Sequence, residues 1–141
     1  MRIFTMLPLL GLAVLAYVLI GFMQGDMASW LGQTAYTISD LPSGGDVGLV
    51  LSNGDMFVLI SLFLLAMEVI KSTNTKGFSM ANHGLSILVF VIALVMFLLV
   101  EGYATATFLM IVVMALVDVM GMMITIVTAR RDIGLGGFDA G

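Results

Sequence analysis

Long apolar runs broken by short polar clusters set the pattern of this chain. The first run extends from Ile3 to Met23 and is interrupted only by Thr5, Pro8, Gly11, Tyr17 and Gly21. At about 1.5 Å per helical residue it is long enough for the roughly 30 Å hydrocarbon core of a bilayer. A second run follows Ser52 and Asp55, which stand in capping-box spacing, and stays apolar from Met56 to Ile70 apart from Ser61 and Glu68. The polar stretch Lys71 to Gly77 ends it. A third run, Gly84 to Val100, contains one serine, Ser86, and stops at Glu101-Gly102. The fourth occupies about Thr105 to Ala129 and stops at Arg130-Arg131-Asp132.

These runs predict an all-α membrane protein with four transmembrane helices at about 3–23, 54–71, 83–101 and 105–129. Only Glu101 to Ala104 separate the last two, so they are expected to form an antiparallel hairpin. The start, Met1-Arg2 before an apolar core, also has the form of a signal peptide. No small-residue cleavage pattern follows Leu15, and a retained helix is expected. In the connecting loop 24–53, Asp26 is placed to cap a short interfacial helix in which Met27, Trp30, Leu31 and Ile38 recur at near-helical spacing. Leu41-Pro42-Ser43-Gly44-Gly45-Asp46 then supplies a flexible return, and the tail 130–141 is glycine-rich.

Charge changes the picture by fixing an orientation. The five cations are Arg2, Lys71, Lys76, Arg130 and Arg131, and a four-span arrangement with both termini inside places all of them on one side. The opposite loops carry acids and no cation, as expected when lysine and arginine stay cytoplasmic. A bacterial inner-membrane location with cytoplasmic termini follows as an expectation. Of the 141 residues, 61% are hydrophobic and 10% charged, a balance foreign to a soluble domain. Four spans leave roughly 60 residues for loops and tail, too few for a separate catalytic domain. Cysteine is absent, which removes disulfides, thiolate metal sites and cysteine nucleophiles. The net charge is −4 with no basic cluster, so nucleic acid is not an expected partner.

Asp118 asks most insistently for an explanation, because it falls near the middle of the fourth run, where an ionised carboxylate costs about 2.5–3.5 kcal/mol on insertion scales. On a helix it shares a stripe with Thr107, Ile111, Met114, Gly121, Thr125 and Thr128, a mixture of small, polar and soft residues suited to a helix contact in lipid. Aligning the middles of the four runs puts only apolar residues beside it, such as Ile92 and Ala93. Its nearest polar candidates are then the Tyr17 hydroxyl and Thr125. A protonated acid bonded within the bundle, a carboxylate paired with another subunit, and a proton- or cation-binding site all fit. Glu68 lies one turn from the end of the second run with Lys71 three residues on, either as an interfacial acid reaching Lys71 or as an inner relay to Asp118 and then Glu101. His83, the single histidine, excludes bis-histidine haem but leaves it a weak candidate as a lone axial ligand. Thirteen methionines suit gap-filling better than a soft-metal path in a chain without cysteine. No cofactor is therefore expected.

In size and span count the chain resembles small multidrug exporters and the small membrane subunits of tripartite uptake systems. Such exporters use an intramembrane acid in their first helix, and the first helix here has none. The leading expectation is a non-catalytic accessory subunit of a larger bacterial membrane complex, of respiratory, photosynthetic or transport type, with the bilayer and other subunits or further copies as partners. A small transporter or proton/cation-conducting homo-oligomer using Asp118, and a cofactor module using His83, are the alternatives.

Overall fold

A computed structural model describes residues 8–39, 48–74 and 80–135. The order along the chain is α1 (Leu9–Gln24), α2 (Met27–Leu31), β1 (Thr34–Ile38), β2 (Leu49–Ser52), α3 (Asn53–Asn74), α4 (Met80–Leu99) and α5 (Ala106–Leu135). The molecule is mostly helical. Two stretches, Asn53–Lys71 of α3 and Ala106–Ile124 of α5, are long and apolar enough to cross a membrane. Helix α1 and the His83–Leu99 part of α4 are apolar but shorter. The 16 residues of α1 span about 24 Å, because among the described residues this helix starts only after Pro8.

The local starts and stops have identifiable causes. Ser52 and Asp55 form the reciprocal cap of α3: Asp55 Oδ2 accepts from Ser52 N–H at 2.9 Å and from Ser52 Oγ at 2.7 Å, while Asp55 N–H donates to Ser52 Oγ at 3.1 Å. Asp26 caps α2 by accepting from Ser29 N–H at 3.2 Å. Thr105 starts α5, its hydroxyl accepting from Phe108 N–H at 3.2 Å. The turn before it closes at Gly102, whose φ of 84° suits glycine, so α4 and α5 pack as the antiparallel hairpin their tight connection implies.

The loop after α2 departs from the all-helical expectation. Ile38 does not extend α2. It ends strand β1, which pairs antiparallel with β2 through Tyr36 opposite Leu51, Thr37 opposite Val50 and Ile38 opposite Leu49. The run Thr34-Ala35-Tyr36-Thr37-Ile38 is rich in β-branched and aromatic residues, which favour a pleated strand. Gly48 adopts φ +69°, and a Cβ there would sit 2.4 Å from the Ile38 carbonyl oxygen, so this side of the hairpin requires glycine. The proposed return through 41–46 lies outside the described residues.

Helix α1 packs on α3, α4 and α5, and α5 packs on α3 and α4. Buried side chains run through this bundle in layers. Next to the sheet, Tyr17, Phe57, Tyr103 and Phe108 meet, with the Tyr17 and Phe108 rings stacked at 4.6 Å and the Tyr17 and Phe57 rings edge-on at 5.5 Å. Val14, Ala93, Ile111 and Val112 continue the same core, and Leu10, Leu65 and Ala115 form a second cluster beyond it. The outside is the reverse of a water-soluble surface: Leu15 and Leu19 of α1, Ile60 and Phe63 of α3, Leu88 and Leu98 of α4, and Val117 and Ile124 of α5 are all exposed.

Candidate functional site

The buried polar residues Ser61, Glu68, Ser86 and Asp118 lie among these apolar layers. Ser61 is satisfied within its own helix, donating to the Phe57 carbonyl at 2.8 Å. The other three converge at the end of the bundle away from the sheet.

Chain connections explain why. Counting back equally from the turn between α4 and α5, the 12 residues from Ala106 to Asp118 bring the α4 level to Ile87, beside Ser86. The same count across the ends of α1 and α3 brings Glu68 level with Leu9. Rising about 1.5 Å per residue, Asp118 and Glu68 therefore lie about 18 Å and 22 Å along helices that start at the sheet. Both acids sit well past the bundle middle, and the apolar neighbours expected for Asp118 at Ile92 and Ala93 belong to a different layer.

Glu68 is 1% exposed and terminates α1 from another helix. Pro8 offers no side-chain cap to α1, and the Leu9 N–H donates instead to Glu68 Oε2. An acceptor at a helix start buried in an apolar bundle satisfies an orphan donor and places negative charge at the positive end of the helix dipole. Glu68 Oε1 faces Lys71 Nζ at 3.7 Å, the pairing expected from their spacing. That separation makes an ion pair but exceeds a hydrogen bond, and Oε1 has no hydrogen-bond partner.

Asp118, 6% exposed, lies beside the Ser86 hydroxyl and within electrostatic reach of Glu68, Lys71 and His83. The expectation that only apolar residues stand beside Asp118 is thus corrected. Ser86 Oγ and His83 Nδ1 are buried and, like Glu68 Oε1, lack a hydrogen-bond partner at normal geometry. His83 touches this cluster only at the range of its electrostatic influence on Asp118. Among the described residues no three His, Asp or Glu side chains stand close enough to hold a metal ion.

Tyr17 belongs elsewhere. Its hydroxyl meets Thr105 Oγ1 at 2.5 Å in the aromatic layer, and so it does not partner Asp118. The α5 stripe is also turned relative to the expected one. Asp118 and Ile111 are buried, but their buried companions are Phe108, Ala115 and Met122, while Gly121 and Thr128 are exposed. The large Phe108 ring sets this rotation by filling the bundle centre. Thr128 Oγ1 donates to the Ile124 carbonyl at 2.6 Å. The side chain of Thr125 lies outside the described residues. Met27 and Met122 are core residues, whereas Met110, Met120 and Met123 are exposed, so these methionines do not line one path.

A concavity lies at the sheet end, a groove of about 410 Å³ bordered by Leu31, Ser52, Asp55, Thr105 and Thr107 among others. Gly54 lets α3 and α5 approach there, since a Cβ would stand 2.8 Å from Thr107 Oγ1. Asp55 is committed to capping α3. Among the described residues the groove therefore shows no buried polar atom without a partner. No known protein family, characterised protein or solved structure matches this chain.

Proposed function

We propose that this chain is a non-enzymatic four-span protein of a bacterial cytoplasmic membrane, with both termini cytoplasmic, acting as an accessory subunit that packs against and stabilises a larger membrane complex. The observation that carries the membrane part is the inverted distribution of side chains: large apolar groups outside on every long helix, carboxylates and hydroxyls inside. In water such an exterior would far exceed the apolar patches tolerated by soluble monomers. In lipid it is the expected surface, and the charged groups turn inward. Local thinning of the bilayer accommodates the shorter α1 and α4. All five cations then fall on the side where Glu68 and Asp118 lie.

The subunit part rests on the apolar layers that, among the described residues, separate Asp118 from the sheet end. Leu10, Leu65 and Ala115, then Ile111, Val112 and Phe108, stand between Asp118 and the sheet end. A relay from Glu68 and Asp118 to Glu101 would have to cross these layers, so the transporter alternative finds less support. Exposed Gly121 and Thr128 on α5 give a face of the small and polar kind that suits contact with another membrane helix. Purification of the native protein in mild detergent tests the proposal. Membrane partners in fixed ratio to this chain are expected, and a chain that runs alone, or that drives an Asp118-dependent cation flux in proteoliposomes, contradicts it.

A further inference from the structure

We infer that the groove at the sheet end is a lipid site, which takes one phospholipid with a primary-amine headgroup from the leaflet at the start of α3 and α5. The site rests on the chain lying in a membrane and is independent of the subunit proposal.

Two concavities of different character adjoin there. The first, about 410 Å³, is bordered by Ser52, Thr105 and Thr107 together with Gly54 and Asp55. The second, about 380 Å³, is bordered by Leu49 and Leu51 of β2 and Leu59 of α3. Asp55, Val58 and Met110 border both. Each volume reaches the roughly 300 Å³ at which ligand pockets begin, so the pair has room for more than an ion or a water molecule. Asp55 lies in the first turn of α3, and Val58 and Leu59 follow about 5 Å further along the helix. The lining thus changes from polar to apolar in the direction in which headgroups give way to acyl chains. A soluble ion or sugar would use only the first concavity, and a bare hydrocarbon only the second. An amphiphile uses both.

Charge and donor count choose the headgroup. Residues 24–53 and 101–104 contain no lysine or arginine, whereas Asp26, Asp55 and Glu101 belong to this end. An anionic headgroup is repelled there and an ammonium attracted. Both capping bonds that the Asp55 carboxylate accepts from Ser52 end on Oδ2, which leaves Oδ1 for a ligand. Gly54 brings two further acceptors together by having no side chain. Thr107 Oγ1 and the Leu31 carbonyl oxygen lie 2.8 and 3.3 Å from the point that a Cβ on Gly54 would occupy. Carboxylate, hydroxyl and carbonyl together match the three N–H donors of a primary ammonium, donors that a trimethylated amine lacks. The phosphate beside the amine meets the start of α5, where Ala106 and Thr107 border the groove with first-turn N–H groups that have no intrahelical partner.

Native mass spectrometry of the full chain, purified in mild detergent and offered phosphatidylethanolamine, phosphatidylcholine and phosphatidylglycerol of matched acyl chains, tests this. One phosphatidylethanolamine per chain is expected to be retained, in preference to either other lipid by about tenfold, the size of one charge-assisted hydrogen bond. Free phosphoethanolamine, which lacks acyl chains, is expected not to displace it. Asp55→Asn keeps an oxygen to accept from Ser52 but removes the charge, and is expected to abolish the preference over phosphatidylglycerol. Thr107→Val keeps the side-chain shape, lies outside the α3 cap and is expected to weaken retention with helical content unchanged by circular dichroism, so the test does not depend on Asp55→Asn folding. Equal retention of the three lipids, displacement by phosphoethanolamine, or an unchanged preference in both variants would each overturn the inference. Such a failure in a chain that still requires detergent is distinguishable from failure of the membrane reading, which shows as recovery in the soluble fraction.

Discussion

The two ends of the bundle are built from the same helices on opposite plans. Next to the sheet, Tyr17, Phe57, Tyr103 and Phe108 fill the space with rings, and polar atoms there are paired: the Tyr17 and Thr105 hydroxyls meet, and Tyr103 donates to the Val18 carbonyl at 3.3 Å. At the other end, Glu68, Asp118, Ser86 and His83 bring several hydrogen-bonding groups together and leave three atoms without partners. The first arrangement is what stability alone would select, since dense packing and satisfied polar groups both favour the folded state. The second keeps polar groups underused where water is scarce. The satisfied and the underused polar groups are thus separated by about half the length of the bundle.

That contrast is open to test by breaking each end in turn. Phe108→Ala removes a fully buried ring from the centre of the aromatic layer and is expected to cost about 3–5 kcal/mol, read from the unfolding midpoint in a denaturing-detergent titration. A cost near zero would mean the rings do not hold the bundle together. Glu68→Ala is expected to cost less, about 1–3 kcal/mol, through the Leu9 N–H left without its acceptor. Glu68→Gln retains an acceptor oxygen and should lose under about 1 kcal/mol. If Ala and Gln are equally destabilising at this position, the acid serves α1 through its charge and not through its hydrogen bond.

The sequence exposed some of this architecture and hid the rest for physical reasons. The Ser52 and Asp55 cap, the Asp26 cap, the tight α4–α5 turn and the Glu68–Lys71 pairing each depend on residues a few positions apart, where local chemistry decides. The hairpin of β1 and β2 was harder to see, since its short strands lie between helices and contain Ile38 at a spacing that also suits α2. The neighbours of Asp118 were obscured by aligning the middles of apolar runs, although α5 continues well beyond the others to Leu135. Counting from the turns instead places Ser86 beside Asp118 and Leu9 beside Glu68. The rotation of α5 was not legible, because hydrophobic residues surround the helix and the Phe108 ring, more than the small-residue stripe, chooses the buried face.

Membrane insertion with the acid cluster toward the cation-bearing side is the claim on which both proposals depend. A chain without cysteine is suited to testing it, since single-cysteine variants report one position each. In sealed inner-membrane vesicles, Gln33→Cys and Glu101→Cys are predicted to react with a membrane-impermeant maleimide from one face, and Lys76→Cys from the opposite face. Labelling of all three from the same face, or recovery of the chain in the soluble fraction, would contradict the account.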